Sequence, residues 1–223
     1  MKSTQSNLGH GIFPDILGTE ECHVLLTAVA SEQRSKAGAR HLMANPVVEA
    51  LAKDKRLIEL AREFLGESAV PFRATLFDKS SDANWLVAWH QDTALPLKNK
   101  FEAEGWGPWS LKKGVHYAHA PTWALSRVVA LRVHLDDSRS DNGPLTIIPG
   151  SHEWGVLTDE EVFKRAHGFD VMECVAAKGG VVAMRPLVIH SSPKSISDAP
   201  RRVLHIEYAD SLVLAEEIEL AVV

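Results

Sequence analysis

Cysteine is nearly absent: Cys22 and Cys174 are the only two in 223 residues, far apart and with no Cys-x-x-Cys. That spacing excludes a sequence-evident zinc ribbon and gives no support to a disulfide framework, so two reduced, mostly buried thiols are expected. A basic block is missing too. Lys and Arg are scattered and the formal net charge is -5, which gives no general attraction to phosphate backbones or anionic lipid; a nucleic-acid partner is not expected. No apolar run reaches spanning length, so no membrane partner is expected either. The start, Met1-Lys2-Ser3-Thr4-Gln5-Ser6-Asn7, lacks the apolar core of a signal peptide, and a cytoplasmic location is the expectation. No repeat, low-complexity tract or linker divides the chain, so one domain over 1–223 is expected.

The apolar share of 45% and the charged share of 24% are ordinary for a globular protein and fill a core easily. Helical stripes are predicted over residues 20–31, 46–53 and 56–65, with Pro46 in a first turn and Gly66 as a stop. Residues 37–43 read equally as a strand or a turn. After Gly66 the period becomes strand-like. Strands are predicted over 72–77, 85–90 (after a polar turn), 115–119, 126–135, 145–148, 181–184, 187–190 and 202–208. A capping box at Thr158 and Glu161 starts one further helix. Residues 94–124 read as a long irregular loop holding Trp106 and Trp109, and a loop of that length in a compact domain is usually functional. The predicted fold class is mainly β with flanking helices: an eight-stranded jelly roll over 71–208, with the helical residues 1–66 packed on it.

The chemistry concentrates at Trp89-His90-Gln91-Asp92. In an extended chain residues i and i+2 share a face, so His90 and Asp92 can point into one cavity. His190, predicted to end the seventh strand, completes a 2-His-1-carboxylate set, which leaves positions open on Fe(II). Arg201 opens the eighth strand; on inward/outward alternation Arg201, Val203 and His205 face the cavity and Arg202 faces away. A guanidinium there can grip a dicarboxylate with paired hydrogen bonds, and the hydroxyl of Ser192, back on the His190 face, can add another. A second His-x-Asp, His134-Leu135-Asp136, leaves too few strands after it for a jelly roll, so His134 is read as a hydrogen-bonded interior or rim residue.

These residues, with Asn142-Gly143-Pro144-Leu145 and Ile148-Pro149-Gly150-Ser151-His152, resemble the phytanoyl-CoA dioxygenase family of non-haem iron oxygenases, from about Pro71 to Tyr208. The resemblance implies a double-stranded β-helix and an Fe(II)- and 2-oxoglutarate-dependent dioxygenase. Such an enzyme uses O2 to hydroxylate an unactivated C–H of a small-molecule substrate, with release of succinate and CO2. By the same resemblance His90, Asp92 and His190 hold the metal. Arg201 and Ser192 bind 2-oxoglutarate, and Arg73 and Thr75 add a co-substrate contact. Trp106, Trp109 and Arg132 are the candidate substrate contacts. Asp92 speaks against a halogenase, and a hydrolytic zinc site leaves Arg201 unexplained. A catalytically silent metal- and 2-oxoglutarate-binding sensor of the same fold is the alternative.

Overall fold

The computed structural model describes residues 6–32, 38–79 and 83–223. In chain order its strands are β1 (His10–Phe13), β2 (Gly38–Arg40), β3 (Val70–Lys79), β4 (Val87–His90), β5 (Ala94–Leu97), β6 (Trp109–Lys112), β7 (Val115–His119) and β8 (Val128–His134). They continue with β9 (Leu145–Ile147), β10 (Met172–Cys174), β11 (Val181–Met184), β12 (His190–Ser192), β13 (Arg201–Ala209), β14 (Val213–Ala215) and β15 (Ile218–Glu219). The helices are α1 (Thr19–Ala28), α2 (Pro46–Ala52), α3 (Lys55–Leu65), the short α4 (Thr122–Leu125) and α5 (Asp159–Ala166).

Two antiparallel sheets form the roll. The major sheet has the order β1-β11-β8-β13-β3-β2 and the minor sheet β10-β9-β12-β4. The division of side chains across the major sheet decides the function. Val129, Leu131 and Val133 of β8, Leu204, Ile206 and Tyr208 of β13, and Ala74 and Leu76 of β3 face outward, into the apolar core shared with α1, α2 and α3. The alternate positions, Arg132 and His134, Arg201, Val203, His205 and Glu207, and Arg73, Thr75, Phe77 and Lys79, face the minor sheet. The main apolar core therefore lies beneath the helices, and the part of the inter-sheet space under β3, β13 and the end of β8 is left for polar side chains, beside a smaller apolar cluster under β11. Because strand periodicity is two, a one-residue slip of β13 would exchange the two sets.

The helices form where local chemistry directs. Asn45 accepts from the amides of Val47 and Val48 at the start of α2, and Asp54 accepts from Arg56 at the start of α3. Leu57, Leu60, Ala61 and Phe64 make the buried stripe of α3, which stops at Gly66 with φ 100°.

The structure corrects several expectations. Residues 94–124 are not an irregular loop: β5, β7 and β6 form a three-stranded antiparallel sheet, followed by α4. The strand read over 115–119 belongs to that side sheet, not to the roll, and β10, a strand of the roll, was not predicted. Counted from β3, without β1 and β2 at the edges of the major sheet, the two differences offset each other and the strand of His190 stays seventh. His190 nevertheless begins β12 instead of ending a strand, because Arg185-Pro186 leads into a turn closed by Val188 N–H donating to the Arg185 carbonyl at 3.0 Å. The ambiguous residues 37–43 hold both β2 and a 3-10 turn, Leu42–Ala44, with Ala37 outside the described residues. The polar turn expected before residue 85 includes residues 80–82, also outside them. β1, β14 and β15 were unforeseen. No helix among the described residues is long and apolar enough to cross a membrane.

Candidate metal centre

His90 and His190 are directly paired across β4 and β12, and their ring centroids lie 4.1 Å apart. Asp92 follows β4 and is anchored by its backbone N–H, which donates to the Pro186 carbonyl at 2.9 Å. Its two oxygens stand 3.7 Å from His90 Nε2 and 3.5 Å from His190 Nε2. One ligand atom from each of the three lies within 4.8 Å of the others.

The tautomers suit a metal. His90 Nδ1 is 2.8 Å from the Ala88 carbonyl and His190 Nδ1 is 2.8 Å from the Val188 carbonyl. A carbonyl oxygen only accepts, so both Nδ1 atoms carry the proton and both Nε2 lone pairs face Asp92. Burial pulls the His190 imidazole down to about 4, with Asp92 opposing, which keeps it neutral. Burial raises the Asp92 carboxyl, but charge interactions with the groups around it, Arg73 among them, hold it well below the usual carboxylate range.

Gln91 points the other way and straps the β4 end to its surroundings. Its amide donates to the Gly155 and Leu187 carbonyls at 2.9 and 2.8 Å and accepts from Leu157 N–H at 2.9 Å. Ser151 performs a similar service for β12: its hydroxyl donates to the Ile148 carbonyl and accepts from Ile189 N–H, immediately before His190.

Behind the triad lies a buried cluster of cations. Arg201 donates through Nε to the Asn142 carbonyl at 3.3 Å and through Nη2 to Ser192 Oγ at 3.2 Å, while its Nη1 is buried with no partner. Ser192 Oγ donates to the Gly143 carbonyl and accepts from Lys79 Nζ at 2.8 Å; Lys79 also donates to the Pro193 carbonyl. Arg132 reaches His205 Nδ1 at 3.2 Å and leaves Nε unpartnered. Burial, then Arg132, pulls Arg201 down to about 9; burial, Arg201 and Arg132 pull Lys79 down to about 8. Among the described residues none of the three has a carboxylate within ion-pair distance. Buried charge without a counter-charge is costly, and a dicarboxylate would relieve it. The donor set thus fits Fe(II) and the orphaned guanidinium fits 2-oxoglutarate.

A cleft of about 250 Å³ opens on the Asp92 side, lined in part by Arg73, Thr75, Phe77, Tyr117 and His205. Sequence reasoning placed Arg73 and Thr75 here, but Arg73 is committed elsewhere: its Nε and Nη2 grip both oxygens of Glu207, and Nη1 donates to the Ala94 carbonyl. Trp106 and Trp109 are not part of the lining. They pack edge-on against Phe101, with Trp106 also against Trp123. Arg132 is buried between the sheets and also lies outside the cleft lining. His134 is interior as expected, yet both its ring nitrogens lack partners; burial, Arg132 and Arg201 hold it neutral at about 3. Sequence reasoning missed Lys79, Gln91 and the cleft cations Arg40 and Lys112. The first was findable, since Lys79 shares the strand parity of Arg73 and Thr75.

The profile of the Phytanoyl-CoA dioxygenase (PhyH) family matches residues 24–203. The chain is 27% identical over 178 residues to an L-proline trans-4-hydroxylase of Streptomyces griseoviridis, covering 68% of this chain and 59% of that protein. It is 25% identical over 186 residues to an ectoine dioxygenase of Sphingopyxis alaskensis, covering 74% and 54%. The chain therefore spans little more than half the length of these relatives. Among solved structures it is similar in fold to EctD from S. alaskensis with bound Fe, with TM-score 0.69 and 21% identity over 100% of this chain and 87% of that one. HygX from Streptomyces hygroscopicus with nickel and 2-oxoglutarate gives 0.68 and 16%, over 100% and 96%.

Proposed function

The chain belongs to the phytanoyl-CoA dioxygenase family, and from that premise we propose that it is an Fe(II)- and 2-oxoglutarate-dependent dioxygenase that hydroxylates an unactivated C–H bond of a small molecule. The observation that carries this reading is the convergence of two Nε2 lone pairs and one carboxylate, with a buried, unpartnered guanidinium nitrogen of Arg201 behind them. The names of the two relatives, which specify L-proline and ectoine, support a small-molecule substrate. We read residues 1–223 as one such domain, acting in the cytoplasm.

Bound Fe(II), 2-oxoglutarate and O2 supply the oxidising power, with succinate and CO2 as co-products. The protein's part is placement. His90, Asp92 and His190 would hold the metal and leave it positions for the co-substrate and oxygen. Arg201 and Ser192 would take the far carboxylate of 2-oxoglutarate, with Ser192 held by Lys79. The Ala88 and Val188 carbonyls fix the imidazole tautomers. Phe77, edge-on against His205 at 5.5 Å, adds an apolar face to the cleft lining.

Anaerobic titration with Fe(II) and then 2-oxoglutarate tests the reading. A weak visible charge-transfer band is expected only when both are present, and succinate release is expected once oxygen is admitted. No band in the intact protein would sink the assignment; a band without succinate under any substrate would make the protein a sensor.

A further inference from the structure

We propose that the outer half of the cleft is an anion site, in which Arg40 and Lys112 grip the carboxylate or phosphate of a small organic acid whose C–H bond faces the metal centre. This rests on the oxygenase reading and names its substrate class.

The charge balance of the cleft carries the argument. Its ionised lining consists of Arg40, Arg73, Lys112, Asp92 and Glu207. Arg73 and Glu207 neutralise each other through two hydrogen bonds, and Asp92 belongs to the triad. Arg40 and Lys112 are left, and among the described residues neither has a carboxylate within ion-pair distance. Their surroundings add repulsion instead: burial, then Arg40 and Arg73, pull the Lys112 ammonium below the ordinary lysine value. An anion between them removes that cost.

Both cations are held by backbone that has little freedom. Arg40 ends β2, where it pairs with Thr75 of β3 and so stands on the cleft side of the sheet. The next residue, His41, sits in the left-handed region at φ 64°, which a non-glycine residue adopts at a cost. Its Nε2 is 2.9 Å from the Tyr117 hydroxyl, and the two rings stack, tying the end of β2 to β7 of the side sheet. Lys112 ends β6 directly before a two-residue hairpin turn, Lys113 at φ 49° and Gly114 at φ 79°, the tight turn that matches strand twist. Its Nζ lies 4.9 Å from the centre of the Tyr117 ring, and the Arg73 guanidinium lies 5.9 Å from it. Tyr117 is thus a common floor beneath Lys112 and Arg73, and Asp92 of the triad lines the same cleft.

A cleft of about 250 Å³ is below the range of about 300–1,000 Å³ usual for drug-sized ligands, and it accommodates an acid of amino-acid size.

The test uses the intact protein loaded with Fe(II) and saturating 2-oxoglutarate under anaerobic conditions. Small amino acids, hydroxy acids and phosphate monoesters are titrated calorimetrically, each beside its neutral methyl ester or amide. At least one acid should bind about tenfold or more tighter than its neutral partner, the scale of a lost hydrogen bond to a charged group. The carboxylate and phosphate arms identify the anion. In Arg40→Met and Lys112→Met that preference should fall to about twofold or less, with the neutral ligand unaffected, and Lys112→Arg should restore it. Arg40→Gln serves if Arg40→Met does not fold. The proposal is overturned if no acid is preferred over its neutral partner, or if the preference survives in both variants. The charge-transfer band, recorded in the same samples, separates the two failures: a band with no acid preference removes only the anion site, and no band removes the oxygenase reading beneath it.

Discussion

His90 and His190 each supply a single Nε2 to a candidate site with three donors. His90→Ala or His190→Ala is expected to abolish stoichiometric Fe(II) binding, as measured by metal content after desalting. Arg201→Ala should instead retain iron and raise the 2-oxoglutarate requirement by about 10- to 100-fold, because it deletes charge-assisted hydrogen bonds. The neighbouring guanidinium is the control. Arg202 is bound through Nε and Nη2 to both oxygens of Asp136, on the far side of β13, so Arg202→Ala should leave that requirement unchanged. The opposite result in steady-state kinetics would mean that the strand phase is reversed.

At the level of elements, the two turn motifs have separate tasks. Asn142-Gly143 presents its carbonyls to Arg201 Nε and Ser192 Oγ, which orients the two side chains proposed to take the co-substrate; Ser151 fixes the amide just before His190. Gly143 has φ 71°, and a Cβ there would lie 2.5 Å from the Pro193 carbonyl and 3.0 Å from Lys79 Nζ. Gly143→Ala is therefore expected to cost about 1–3 kcal/mol in urea denaturation and to weaken 2-oxoglutarate binding without removing iron. Gln91→Leu should also destabilise by about 1–3 kcal/mol, since three backbone groups, one buried and two partly buried, lose their partner. Iron affinity should fall with it, because His90 and Asp92 flank that strap. The site was legible because its residues sit at strand ends, where i, i+2 parity and order along the chain specify direction. The side sheet was not. Its strands are four or five residues long, and Pro96, Gly105, Gly107, Pro108 and Gly114 punctuate it as they would a loop. Trp106 and Trp109 look like lid residues by type, but only tertiary contact shows that they pack on Phe101. β10 escaped notice because three residues carry no period.

Across the whole molecule, the inter-sheet space has a polar end at the metal centre and an apolar end around Leu145, Ile147, Val182, Met184 and Cys174. Burial pushes the Cys174 thiol up to about 12 from an ordinary 9.0, despite Arg132. Above pH 9 the unfolded chain therefore ionises this thiol while the folded chain does not, and its contribution to stability is lost progressively up to about pH 12. Stability from urea denaturation should decline over that window in the wild type and decline less in Cys174→Ala, although the substitution lowers stability at pH 7. In the folded state at pH 8 the thiol should resist alkylation.

The metal donors stand on or beside the minor sheet, whereas Arg201, Lys79 and Arg132 project from the major one. Arg201 and Lys79 already reach across to Ser192; a dicarboxylate bound there would add a further, removable clasp between the two sheets. Amide exchange in β12 should slow markedly when 2-oxoglutarate joins the iron, and hardly at all with iron alone. Cofactor supply would then set the working rigidity of the enzyme as well as its turnover.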